Sequence, residues 1–184
     1  MTTPAISNYG ADASGLICGF RFGPDGRGLS VGAGEAIDWL AGTAEAAGFV
    51  WLHFNLAQAA TEKWLRVNAA LSGLSHEALR DGSRSTRVAL DDEMLVAVVN
   101  DVRYDFAFDL KDISTPWLAV GPRSMVGARL QPLRSIDRLR EAVNRGVMLR
   151  SAVELLIHLV QDQGDVLANI VRATTARSPA GLLS

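Results

Sequence analysis

Short apolar runs bounded by turn residues alternate along the chain with segments whose apolar positions recur every three or four residues, so strands and helices interleave. Leu16 to Phe22 reads as a strand, Gly23-Pro24-Asp25-Gly26 as a turn, and Leu29 to Val31 as the returning strand of a hairpin. Between Glu35 and Ala47, Ile37, Leu40 and Ala44 fall at helical spacing, with Gly48 as the stop. Phe49 to Leu56 then places Val50, Leu52, Phe54 and Leu56 on one face and Phe49, Trp51, His53 and Asn55 on the other. That pattern predicts a central strand covered on both sides.

Thr61 is read as the cap of a helix carrying Trp64, Leu65, Val67, Asn68 and Leu71, and a shorter helix with Ser75, Ala78 and Leu79 follows the break at Gly73. Thr86 to Leu90 and Glu93 to Asn100 are expected to pair as antiparallel strands around Asp91-Asp92, with a further short strand over Asp105 to Leu110. Residues 117–120 and 125–130 form the hairpin around which the chain is organised, its reversal made by Gly121-Pro122-Arg123-Ser124. Ser135 is read as the N-cap of a helix with Ile136, Leu139 and Val143 on one face, ended by Gly146.

The last helix is the most regular feature. Leu149, Val153, Leu156, Val160, Gln163, Leu167, Ile170 and Thr174 alternate by four and three, the spacing of a seam that meets another helix. Leu155, Leu159 and Val166 form a second apolar row, and Gly164 lies off the seam. The resulting division is a flexible arm at 1–14, an α/β body at 15–146, a long helix at 147–175 and a flexible tail at 176–184.

Composition narrows the function more by exclusion than by assertion. With 184 residues, 48% hydrophobic and 21% charged, the chain can bury the core of one domain, and a net charge of −2 argues against nucleic acid as a partner. Cys18 is the single cysteine, which rules out a disulfide framework or a zinc site of paired cysteines and suits a reducing cytosol. No secretory leader is read at the N-terminus. Apolar stretches such as 94–99 and 155–160 stop well short of the ~20 residues of a spanning helix, so the chain as given is expected to be soluble. The glycines at 26, 28, 32 and 34 do not complete a phosphate-cradling loop.

No nucleophile stands beside a base in recognisable form, so neither catalytic nor cofactor-binding residues are assigned and an enzyme is not expected. His53, His76 and His158 are the only histidines; His53 and His158 are read as core or interface residues and His76 as solvated at a helix start. Asp137 and Glu141 are read as ordinary helix-surface charges. Charge is segregated: Asp91, Asp92, Glu93, Asp101, Asp105, Asp109 and Asp112 face only Arg103 and Lys111 within 91–112, whereas 123–150 holds seven Arg. Two solvated surfaces are the simplest account. The sharper one is weak attraction of Zn²⁺ or Mg²⁺, with Asp91, Asp92, Glu93 and His53 as the candidate metal residues.

Trp51-Leu52-His53-Phe54-Asn55, the Ser85-Thr86-Arg87-Val88 approach to a strand, and Trp117-Leu118 through Arg138 together resemble the N-terminal cytoplasmic domain of CorA-like metal-ion transporters, closest to the ZntB zinc-transporter branch. The similarity covers roughly residues 15–175 and rests on order and spacing. It implies an α/β/α sandwich on a mixed sheet of six to seven strands, with a long C-terminal helix continuing toward the membrane and five subunits forming a funnel. It further implies a vestibule or regulatory role for zinc or magnesium transport, with self-association, divalent cations and the membrane as partners at the cytoplasmic face of the inner membrane. The family's Gly-Met-Asn pore motif and two membrane helices are absent from the sequence. Two expectations follow: the chain is part of a longer transporter, or it is a stand-alone oligomeric interaction module without transport activity.

Overall fold

The computed structural model describes residues 10–41, 47–81, 86–102 and 113–177. Its strands are β1 (Leu16–Phe22), β2 (Gly28–Ser30), β3 (Phe49–Asn55), β4 (Arg87–Asp91), β5 (Met94–Val98), β6 (Asp101–Val102), β7 (Ile113–Ser114), β8 (Trp117–Val120) and β9 (Ser124–Arg129). The helices are α1 (Ala33–Leu40), α2 (Ala59–Asn68), α3 (Gly73–Asp81), α4 (Arg134–Asn144) and α5 (Ala152–Arg177). Seven strands form one sheet in the order β2-β1-β3-β9-β8-β5-β4, and β6 pairs with β7 separately. All pairs are antiparallel except β3 with β9, so the sheet is mixed and its middle strand belongs to the 117–130 hairpin.

Helices cover both faces. On one, α1 to α3 pack Ala36, Leu65 and Ala78 against Val50, Leu52, Phe54, Val126 and Ala128. On the other, Ile136, Leu139 and Val143 of α4 and Leu155 and Leu159 of α5 meet Phe20, Phe22, Phe49, Trp51, Leu118 and Met125. Every residue of β3 is buried, as expected of a strand covered on both sides.

Several boundaries differ from the sequence reading, for local reasons. Gln58 rather than Thr61 precedes α2; Thr61 is buried inside the helix and its hydroxyl donates to the Asn55 carbonyl at 2.6 Å. Leu133 likewise precedes α4, while the buried Ser135 hydroxyl donates to the Asp101 carboxylate instead of capping. α1 begins at Ala33 and buries Ala36, leaving Ile37 exposed. Gly48 has φ +132° because the chain there crosses the Phe22 backbone, where a Cβ would collide with the carbonyl oxygen. The β4–β5 turn is one residue later than expected, with Asp91 paired to Met94 and Asp92 at φ +52°. The strand expected over Asp105 to Leu110 lies outside the described residues, as does the end of the expected helix over 42–46.

α5 keeps the two expected apolar rows but changes their membership. Ala152, Leu155, Leu159, Gln163 and Val166 are its buried row, whereas Val153, Val160 and Leu167 of the expected seam are about half exposed. Gln163, read on the seam, lies instead with Leu155, Leu159 and Val166 on the buried side, because the two rows are too close in phase for spacing alone to separate them.

Candidate functional site

The α4 side of the sheet changes character along its strands. Antiparallel pairing of β1 with β3 sets Phe22 opposite Phe49, Phe20 opposite Trp51 and Cys18 opposite His53. The first two rungs are stacked aromatic pairs with centroids 4.4 and 5.6 Å apart. At the third rung the face becomes polar. β9 brings Gly127 beside His53 and Arg129 beside Asn55, and α4 lays Asp137 and Arg140 over that end.

This cluster is buried. His53 has no exposed surface and Arg129 only 2%. Gly127 makes room for the imidazole, since a Cβ there would lie 2.6 Å from His53 Nδ1. Neither ring nitrogen has a hydrogen-bond partner among the described residues. Arg129 Nη2 stands 3.7 Å from Asp137 Oδ1, and Arg140 Nη2 stands 4.0 Å from the same atom. Two guanidinium groups thus share one carboxylate, which ties α4 to the middle of the sheet.

Burial holds the His53 imidazole well below its ordinary pKa, and the positive charges of Arg129 and Arg140 act the same way. Burial also raises the Asp137 carboxyl, against the pull of both arginines. The Cys18 thiol is pushed up to about 12, again by burial. A thiol opposite an imidazole invites comparison with a catalytic pair, yet nucleophilic catalysis needs a thiolate with access to substrate. Cys18 has neither, so the pair is a structural rung.

The candidate metal residues are not brought together. Asp91, Asp92 and Glu93 sit at the β4–β5 turn near the sheet edge, and His53 lies four strands away in the sheet order, roughly 19 Å at the usual strand spacing. Among the described residues, no three His, Cys, Asp or Glu side chains converge as metal ligands. The core placement expected for His53 holds. His158 instead is partly exposed on α5, 3.9 Å from Asp162, and Asp137 is buried rather than on the helix surface. Arg129 and Asp137 escaped the sequence reading as a pair; the signal was an Arg sharing the inward face of a strand with Met125 and Gly127.

The second feature is the outer face of α5. Val153, Ile157, Val160, Leu167 and Val171 are exposed by 45 to 63%, and with Gly164 they step by four and three. That is a seam without cover on a helix of 26 residues. No helix among the described residues is long and apolar enough to cross a membrane.

Residues 46–177 match the family model of the CorA-like Mg²⁺ transporter protein. The chain belongs to the CorA-like family. Within that family it is 24% identical to the divalent cation transporter CmaX of Pseudomonas aeruginosa, over 91% of this chain and 54% of the relative. The structure of full-length CmaX superposes with a TM-score of 0.78 at 23% identity, covering 91% of this chain and 50% of that one. The ZntB cytoplasmic domain from Vibrio parahaemolyticus gives 0.66 at 15% identity, covering 86% and 63%. The complete CorA magnesium transporter of Methanocaldococcus jannaschii gives 0.60 at 12% identity, covering 86% and 48%. These structures share the fold, and ZntB superposes better than CorA, in line with the resemblance. The chain spans about half the length of the curated CmaX relative.

Proposed function

We propose that this chain is the cytoplasmic vestibule or regulatory domain of a divalent-cation transporter of the CorA and ZntB type, moving zinc or magnesium, and that it works as a homo-pentamer at the cytoplasmic face of the inner membrane. The observation that carries this reading is the match to the CorA-like family through α5, combined with the uncovered apolar seam on that helix. An exposed row of Val, Ile and Leu at coiled-coil spacing is costly in water and is relieved by packing against other helices. The domain itself contributes rigidity and field rather than a pore: α4 is fastened to the sheet by the Arg129–Asp137–Arg140 cluster, and the carboxylates of Asp91, Asp92 and Glu93 lie at a solvent-facing turn. In this reading those carboxylates attract Mg²⁺ or Zn²⁺ weakly and in a salt-sensitive way, without a preformed cage.

The test is transport by the full-length protein containing this domain, reconstituted in lipid vesicles loaded with a zinc-sensitive or a magnesium-sensitive dye. Ion entry above that of empty vesicles, altered by replacing Val160 and Leu167 with Asp, supports the reading. Absence of entry for both ions removes it and leaves a stand-alone interaction module of the same fold.

A further inference from the structure

On the opposite side of the sheet from α5, a cleft of about 520 Å³ is lined by Glu62 and Arg66 of α2 and by His76, Leu79 and Arg80 of α3. Glu62 and Arg66 lie one turn apart on α2, and His76 and Arg80 one turn apart on α3, so helical spacing turns both pairs toward the same space. Glu62 occupies one edge of the Arg66 guanidinium at 3.0 Å. The side chains of His76 and Arg80 engage no other described residue. Asp81, next to Arg80 in sequence, is paired with Arg87 at 3.7 Å. Among the described residues, Leu79 supplies the apolar part of the lining.

We propose that this cleft binds a small dianion, either a phosphate monoester or a dicarboxylate. Three features favour that class. The volume is that of a small-molecule site. Two guanidinium groups from different helices present planar forks that match paired oxygens, and the imidazole adds a further N–H donor. The described lining is net positive in a chain whose net charge is −2, because Arg66 and Arg80 outweigh Glu62. Glu62 holds Arg66 in place without ligand and competes with the ligand for it. The inference is independent of the transport reading, since it involves neither α5 nor a metal ion.

Titration of the isolated domain with inorganic phosphate and, separately, with succinate, followed by calorimetry and amide chemical shifts at low salt, tests it. Saturable binding with shifts confined to α2 and α3 is expected, and the tighter probe identifies the phosphate or the carboxylate source. Arg80→Gln should weaken binding about tenfold or more, the loss expected of one charge-assisted contact. Arg145→Gln, on the far side of the sheet, should leave it unchanged, and Glu62→Gln should tighten it. Lack of saturable binding for both probes would overturn the proposal, as would an equal loss from Arg80→Gln and Arg145→Gln. All three positions are exposed, so the variants keep the fold.

Discussion

The Arg129–Asp137 contact joins a buried strand residue to a buried helix residue. Removing Arg129 leaves the buried Asp137 carboxylate only the longer contact to Arg140 at 4.0 Å, and breaking a buried pair in this way costs up to about 3–5 kcal/mol. Arg129→Met should therefore lower the urea midpoint strongly, and adding Asp137→Leu should recover most of the loss; a double variant no better than the single would show that the pair is not the source. His53 gives a pH signature. Its folded pKa is lowered below 6.5, so the unfolded chain takes up a proton first as acid is added, and stability present above about pH 6.5 declines below it. His53→Gln should flatten the profile between pH 7 and 5, read from urea midpoints across that range. Asp137, with its pKa raised above 3.8, works in the opposite sense at more acid pH, because the folded state there binds the proton first. None of this was legible from residue types alone: Asp137 has the spacing of a surface charge, and only the parallel pairing of β9 with β3 brings Arg129 beneath α4.

At the scale of elements, strands were read more truly than helix starts. A strand declares itself by apolar runs between turn residues, and β3, β8 and β9 have nearly the expected bounds. Helix starts were misplaced at Thr61 and Ser135 because a hydroxyl can serve tertiary contacts as well as caps, and burial directs these two toward Asn55 and Asp101. In α5 both apolar rows were recognised, but period alone does not say which one the sheet takes. The structure separates them, and substitution should too. Leu159→Asp places a carboxylate in the core and should cost at least about 3 kcal/mol in chemical denaturation. Val160→Asp and Leu167→Asp face solvent and should leave the melting temperature of the dilute domain within a few degrees of wild type. Comparable losses from all three would mean that α5 is rotated from the orientation described.

For the whole molecule, the α/β/α architecture and the CorA-like family were both legible, because order and spacing of elements survive where individual residues drift. The β3–β9 parallel pair was not foreseen as such: it depends on a crossover of nearly seventy residues, and no local pattern reports it. We propose that the exposed row of α5 is a seam for other copies of the chain. Light scattering behind size exclusion, over a concentration series, tests it most directly. The mass should rise above the 19.7 kDa of one chain as concentration increases, and stay at 19.7 kDa when Val160 and Leu167 are both replaced by Asp. A wild-type domain that remains at 19.7 kDa at every concentration would contradict it.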